Sequence, residues 1–489
     1  MDRIRPSGEY GPKTFLVRKS KEGKPMSNPS DDQLEKSLNQ ATGGYEPTPS
    51  PPQIDPTTES VPAHAPVPPA AGVQATPVAA PTPPVAAPTP PVAAPAAPVA
   101  PAAPGMGAVN IGNIAAGLSP TAHVQAAQQV QINDEFGHDV AFNMAFIGSG
   151  QGGARLASAF HGLGYRRIGL FNTAESDFNG LPDSIERHTL ELGGAAKDAR
   201  FAEEAIQGRE EEIWDLLQRS WGNDMDYGLV CVGLGGGTGS GTSGKLVEIA
   251  RQYMESKGKP PRVGAIVSIP SYTEGQQVCR NAVTAFQKLM DLKCSPMILI
   301  DNARIHQLYK PGMTQLYNVA NSTVSQLLHL FNQLAAVHSP LITFDRSELA
   351  QLLDHGICVM GAASLQNISS PADISQAIRD QLTNNVLAEV DLKSGSKGAC
   401  LFVGDQNHLD NLSLDYFDAG FTQMNRTLKG GSSVVHRGVY LGSAPGLQAY
   451  AMISDLKPPV ATLAKLAKEA NITKAQLSGG LAQFLGVND

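Results

Sequence analysis

Long apolar runs are missing from this 489-residue chain. No stretch approaches the ~20 consecutive apolar residues of a membrane span, and no basic-then-apolar leader opens the sequence, so the expected setting is cytoplasmic. Basic residues are outnumbered. Lys and Arg total 37 against 45 Asp and Glu, a formal net charge of -8, a balance that argues against a chain that binds nucleic acid along its whole length. Cysteine is scarce and odd in number: Cys231, Cys279, Cys294, Cys358 and Cys400 lie in apolar surroundings without metal-ligand spacing. That excludes a disulfide framework and a Cys-based metal cluster, and the five read as reduced core residues. What the chain has in quantity is proline and glycine, 36 and 49 residues.

The prolines crowd the first part of the chain. Residues 1–46 form a polar, locally basic tail containing Arg3, Arg5, Lys13, Arg18, Lys19, Lys21 and Lys24. Residues 47–135 read as a Pro/Ala-rich disordered linker, in which Pro-Thr-Pro-Pro-Val-Ala-Ala at 81–87 recurs at 88–94. Proline removes N–H donors from any helix or ladder, and too few large apolar groups are present to offset the entropy of ordering. Weak helical potential over Thr121–Val130 reads as a short helix or as more linker.

The informative glycines come in two stretches, each after an apolar run. Val140 to Ile147 reads as a strand, followed by Gly148-Ser149-Gly150-Gln151-Gly152-Gly153 and a helix over Ala154–Leu163. Alone, this fits the dinucleotide fingerprint G-x-G-x-x-G, with Glu175 or Asp177 near the distance expected of a ribose acid. The second stretch is Gly235-Gly236-Gly237-Thr238-Gly239-Ser240-Gly241, between the buried-type strand from Leu229 and a helical pattern through Leu246, Val247, Ile249 and Ala250. Five glycines in seven residues let consecutive backbone N–H groups converge where a helix dipole adds positive charge, which suits phosphate. Thr238, Ser240, Thr242 and Ser243 can add hydroxyl donors. A P-loop is excluded, because after Gly239 and Gly244-Lys245 the magnesium-binding Ser or Thr is replaced by Leu246.

The second stretch resembles the signature loop of the tubulin/FtsZ family of polymerising GTPases, and further motifs follow in the family's order. Gly148, Gly150, Gln151, Gly152 and Gly153 resemble its first phosphate loop; Asn172-Thr173-Ala174 resembles the turn after its second strand; Leu192-Gly193-Gly194-Ala195-Ala196-Lys197 resembles the loop near the terminal phosphate. Lys197 would supply a cation there. Glu274 in Pro270-Ser271-Tyr272-Thr273-Glu274-Gly275 matches a ribose-facing Glu, and Asn302 matches an Asn that reads guanine. Tyr317 and Asn321, i and i+4 on one helical face, resemble the pair that stacks on and bonds the base. Asp345 and Glu348 keep two of three polar positions of the family's activating loop, with Thr343 at the first. Met360-Gly361-Ala362-Ala363 resembles the strand that opens the family's second domain.

The resemblance implies an α/β fold. A parallel-sheet GTP-binding domain with a long core helix would cover 139–338, a smaller α+β activation domain 339–454, and a C-terminal helical extension 455–489. It implies GTP held by Gly148, Gly150, Gln151, Gly152, Gly153, Asn172, Gly193, Gly194, Gly235, Gly236, Gly237, Thr238, Gly239, Ser240, Glu274, Asn302, Tyr317 and Asn321. Asp345 and Glu348 would be catalytic toward the next subunit of a longitudinal homopolymer. Magnesium would be held mainly by phosphates and water, without a protein ligand cluster. The arm and the C-terminal helices are candidate docking segments for a further partner, and no membrane insertion is expected. Two other readings stay open: a nucleotide-binding assembly protein without turnover, and a Rossmann NAD-dependent oxidoreductase. Division, DNA segregation and phage positioning in an infected host are not separated by the sequence.

Overall fold

A computed structural model describes residues 140–477, apart from 310–314, 366, 383–385, 429–432 and 443–444, and positions 481, 482 and 485. The basic tail, the proline-rich linker and the Thr121–Val130 segment lie outside the described residues. In chain order the elements are β1 (Met144–Ser149), α1 (Gly150–His161), β2 (Ile168–Asn172), β3 (Glu186–Thr189), α2 (Ala199–Ile206), α3 (Glu210–Ser220), β4 (Tyr227–Gly233), α4 (Gly237–Ser256), β5 (Val263–Ile269), α5 (Gln276–Asp291), β6 (Met297–Asp301), α6 (Asn302–Tyr309) and α7 (Leu316–Leu334). There follow α8 (Arg346–Leu353), β7 (Ile357–Leu365), α9 (Pro371–Ala377), β8 (Lys397–Gly404), α10 (Gln406–Asn411), α11 (Leu414–Thr427), β9 (Val434–Leu441), β10 (Leu447–Leu456) and α12 (Val460–Glu469).

Among the described residues the strands make one ten-stranded sheet in the order β3-β2-β1-β4-β5-β6-β7-β10-β8-β9. Pairing is parallel from β3 through β7, and only β10 runs antiparallel to its neighbours β7 and β8. The two expected halves therefore share a sheet, joined where Met297 pairs with Ile357 and Ile298 with Cys358. Alternation carries the core across that seam. Tyr227, Leu229 and Cys231 of β4 face the layer built by α1 and α7, as do Cys358 and Met360 of β7. Val230 and Val232, like Val359, face the layer built by α3, α4, α5, α11 and α12.

A strand boundary differs from the expectation. The strand expected from Val140 begins at Met144, because the preceding backbone bonds elsewhere: Ala141 N donates to Asn332 O, Phe142 N to Asn332 Oδ1 and Asn143 N to Asp226 Oδ2. Helices α2 and α3 are separate because Gly208 stands between them with a φ of 75° that no helix accommodates. In the expected C-terminal helical extension the first helix is α12, and Leu477, Leu481 and Leu485 beyond it are buried in the core. Among the described residues no helix is long and apolar enough to cross a membrane.

Candidate functional site

A cavity of about 450 Å³ lies at the carboxyl ends of β1, β4, β5 and β6, where an open parallel sheet leaves a crevice. Gly150, Gln151 and Gly152 wall it from α1, Gly193, Gly194 and Lys197 from the turn before α2, and Gly235, Gly236, Gly237, Thr238 and Gly239 from the β4–α4 connection. Glu274, Asn302, Tyr317 and Asn321 complete the predicted part of the wall. Residues from six separate connections thus meet at one cavity.

Helices α1 and α4 begin on it without a side-chain cap. Ser149 precedes α1 and Gly236 precedes α4, and neither supplies a capping hydrogen bond. Each helix therefore presents first-turn N–H groups and the positive end of its dipole to the cavity. The Ser149 hydroxyl is spent on Thr242 Oγ1 at 2.7 Å. The other hydroxyls are spent on the turn as well. Thr238 Oγ1 lies 2.8 Å from Thr173 Oγ1, and Ser240 Oγ donates to Leu234 O at 2.5 Å; Ser243 Oγ donates to Ser240 O at 3.3 Å. They stiffen the β4–α4 connection rather than extend into the space it bounds.

The stretch expected as a long glycine loop is mostly helix. Gly237, Gly239 and Gly241 are inside α4, and Gly241 is there because α2 crosses it: a Cβ would stand 2.1 Å from the Ala199 carbonyl oxygen. Likewise Gly153 lets α1 touch β4, its Cβ position lying 2.1 Å from the Cys231 carbonyl oxygen. Of the expected nucleotide contacts, Gly148, Gly153, Asn172 and Ser240 are not among the residues that line the cavity. Asn172 acts at one remove, its Nδ2 donating to Asp177 Oδ2 at 3.1 Å while its Oδ1 accepts from Thr173 N at 2.8 Å. Asp177, considered above only as a Rossmann ribose acid, is on the wall.

Arg155 is also on the wall and was not anticipated, although it follows Gln151 by one helical turn. Tyr317 is 45% exposed; burial of part of its ring and the Glu274 charge push its phenol up, while the Arg155 charge opposes them. Tyr317, Glu274 and Arg155 therefore share one electrostatic neighbourhood. Asn302 Oδ1 accepts from Ser268 Oγ at 3.0 Å, and no acceptor among the described residues holds its amide nitrogen. Glu274 Oε1 accepts from Ser271 N at 2.8 Å, closing its own turn. Arg280, in the helix after Glu274, is turned away and donates to Ala470 O at 3.1 Å.

Asp345 and Glu348 are elsewhere. Asp345 caps α8: its Oδ1 accepts from Ser347 N at 2.8 Å, Ser347 Oγ at 2.6 Å and Glu348 N at 2.9 Å. The Ser347 hydroxyl, foremost, and these amides hold its carboxyl below the usual range. Glu348 returns the cap, Oε2 accepting from Asp345 N at 3.0 Å, and its Oε1 lies 3.1 Å from His436 Nδ1. Beside them Arg346 donates to Asp226 Oδ1 at 3.0 Å and stacks over Phe142, which places the pair at the amino ends of β1 and β4. The cavity is at their carboxyl ends. The seven residues of β4 span about 20 Å at ~3.3 Å each, so these carboxylates do not reach the cavity of their own molecule.

Residues 143–310 match the family described as Tubulin/FtsZ family, GTPase domain. The tubulin-like protein TubZ of Bacillus cereus is 25% identical over 240 residues, 44% of this chain and 53% of that protein. Cell division protein FtsZ 1 of Pyrococcus woesei is 26% identical over 211 residues, 43% of this chain and 53% of that protein. The chain thus spans about half the length of the curated relatives it matches. A GTPγS-form protofilament of Bacillus thuringiensis serovar israelensis TubZ superposes with a TM-score of 0.59 at 19% identity, over 71% of this chain and 94% of that one. CetZ2 from Haloferax volcanii, solved as a GTPγS-bound protofilament, gives 0.57 at 19% identity, over 67% and 97%. The sequence match to the Tubulin/FtsZ GTPase domain falls on the glycine turns that wall the cavity, and the fold of the tubulin/FtsZ superfamily is shared across both halves.

Proposed function

We propose that this chain is a GTP-binding, filament-forming GTPase whose cavity is completed by the carboxylate loop of the next copy. The observation that carries the reading is the separation within one molecule. Uncapped helix N-termini suited to phosphate open at one end of the sheet, and the paired acids Asp345 and Glu348 cap α8 at the other. A head-to-tail stack of identical copies brings those two ends together. The relatives solved as GTPγS protofilaments support that arrangement.

In this reading Tyr317 stacks on the base while the amides of Asn302 and Asn321 bond its edge. Glu274 takes the ribose, and the N–H groups of Gly150 to Gly152 and Gly235 to Gly239 take the phosphates. Asp177 and Glu274 are the carboxylates on the cavity wall, and among the described residues no group of three or more His, Cys, Asp and Glu could hold a metal. A magnesium ion bound chiefly by phosphates and water would neutralise charge on the leaving diphosphate. Glu348 spends one lone pair on each oxygen and keeps one on each. It, or Asp345, orients a water against the terminal phosphorus of the neighbouring subunit; the bond from that phosphorus to the bridging oxygen breaks and inorganic phosphate leaves.

Phosphate release measured against protein concentration tests this. Catalysis between copies predicts an upward-curving rate above a critical concentration, with assembly visible by sedimentation. A rate strictly proportional to concentration would contradict it, and GTP binding with assembly but no release would favour the non-hydrolysing reading.

A further inference from the structure

The turn that leads into α2 and the Gly235-Gly236 turn belong to different strand-helix units, yet they form adjoining walls of the cavity. One side chain ties them together. Asn281, in the second turn of α5 and 3% exposed, donates from its amide nitrogen to Lys197 O at 2.8 Å, to Gly235 O at 3.2 Å and to Gly236 O at 3.4 Å. Its Oδ1 accepts from Gln277 Nε2 at 2.9 Å. Three carbonyls around one atom require a donor there, so the amide has a single orientation and both of its polar atoms are engaged.

The turn it holds has an unusual backbone. Ala196 and Lys197 have φ of 45° and 62°, two successive side-chain-bearing residues in the left-handed region. Such residues persist where their surroundings over-determine them, and the bond to the Lys197 carbonyl is one such constraint. Packing supplies another, because the turn lies directly on the start of α4: a Cβ on Gly237 would stand 2.8 Å from Ala195 Cβ and 3.0 Å from Asp198 N. Lys197 is itself exposed on the cavity wall, and no carboxylate among the described residues pairs with it. An unpaired ammonium and an uncapped helix N-terminus thus flank the same turn.

We propose that Asn281 is a positioning residue: by clamping the Lys197 carbonyl to the Gly235-Gly236 turn, it sets the Lys197 ammonium beside the α4 N-terminus and makes the cavity prefer a triphosphate to a diphosphate. This rests on the nucleotide reading above. Asn281 is not on the cavity wall; it acts through the strained turn. Its replacement by Asp puts a carboxylate against three carbonyls, and its replacement by Ala leaves the turn without its clamp.

The test titrates the full chain and its variants with fluorescent GTP and GDP analogues, with thermal unfolding as the folding control. The unaltered protein should bind the triphosphate more tightly. Asn281→Ala and Asn281→Asp should each lower the triphosphate-to-diphosphate affinity ratio roughly tenfold, the size of one charge-assisted contact. Lys197→Ala should lower it as much in the unaltered chain and add nothing to Asn281→Ala, since the ammonium is already displaced. A ratio unchanged in cooperatively folding Asn281→Ala overturns the proposal. So does a Lys197→Ala effect of equal size in both backgrounds, which would leave Asn281 a merely structural residue. Should Asn281→Asp not fold, the Ala variant carries the comparison. A chain that binds neither nucleotide overturns the nucleotide reading and this proposal with it, whereas equal affinity for both overturns only this one.

Discussion

Helices α1 and α4 begin at the cavity with no side chain capping them, while α8, at the opposite end of the same strands, begins with a complete capping box built from Asp345 and Glu348. At the cavity the backbone donors are left open and the side-chain hydroxyls are turned inward onto the protein. At α8 the donors are satisfied and the carboxylates that satisfy them are partly spent. A helix start without a cap is less stable than one with it, typically by about 1 kcal/mol, and two such starts on one cavity mark a place where an anion from outside can supply what the chain withholds. The capped end shows the reverse: the two acids that resemble a catalytic pair also hold their own helix, so any role toward another molecule is added to a structural one.

The largest effect expected from breaking this contrast is on turnover. Glu348→Ala should leave GTP binding by the unassembled chain unchanged and slow hydrolysis about 10²–10⁴-fold, the usual contribution of a water-orienting or basic carboxylate. Steady-state phosphate release beside equilibrium binding checks it, and unchanged turnover would move the role to Asp345 or out of this loop.

The rod between the two ends offers the next. Helix α7 begins beside the cavity with Tyr317 and Asn321, and its 19 residues run about 28 Å. Within it His329 is 5% exposed, its Nδ1 lying 3.2 Å from the Tyr165 hydroxyl, and burial holds its imidazole down from 6.5 to about 4. Between those values the unfolded chain takes up a proton that the folded chain refuses. This contribution is therefore complete above pH 6.5 and lost as pH falls toward about 4, by roughly 3 kcal/mol in total. Urea unfolding at pH 7, 5.5 and 4.5 should show a steeper acid loss in the unaltered protein than in His329→Asn; parallel curves would show that His329 is charged or solvated in the fold.

At the cavity, Asn321→Ala should weaken GTP by about 1–3 kcal/mol, the cost of a buried bond left unmade, with thermal stability unchanged. Equal competition by ATP and GTP in the unaltered chain would remove the base-reading role from this residue. The smallest effect belongs to the capped end. Asp345→Ala should cost about 1 kcal/mol of stability through the lost cap and leave nucleotide affinity alone. A fall in GTP affinity of unassembled chains would mean that the two ends communicate within one molecule.

Much of the cavity was legible because its chemistry is local. Glycine turns after apolar runs, Tyr317 and Asn321 at helical spacing, and Glu274 and Asn302 just past strand ends all carry their signal within a few residues. What misled was intrinsic propensity. Glycine disfavours helix by about 1 kcal/mol relative to alanine, so a run of five reads as loop; yet three of them are helical, since α2 leaves no room for a side chain at Gly241. The polar strand Glu186–Thr189 has no apolar run to betray it, lying at the edge of the sheet. Asn281 and His436 were invisible for a different reason. Their partners lie 84 and 88 residues away in sequence, and no spacing rule reaches that far.

By itself, then, the sequence determined the alternation of strands and helices and the two glycine-rich starts, because each is set by short-range periodicity and backbone freedom, and the order of its motifs carried the family resemblance. Only the tertiary structure decided which glycines meet the cavity and which pack helix on helix, that both halves share one sheet, and that the carboxylates stand a strand's length from the glycine turns. Those outcomes depend on which distant segments come into contact, and that is set by the burial of two apolar faces of one sheet rather than by any stretch of the chain alone.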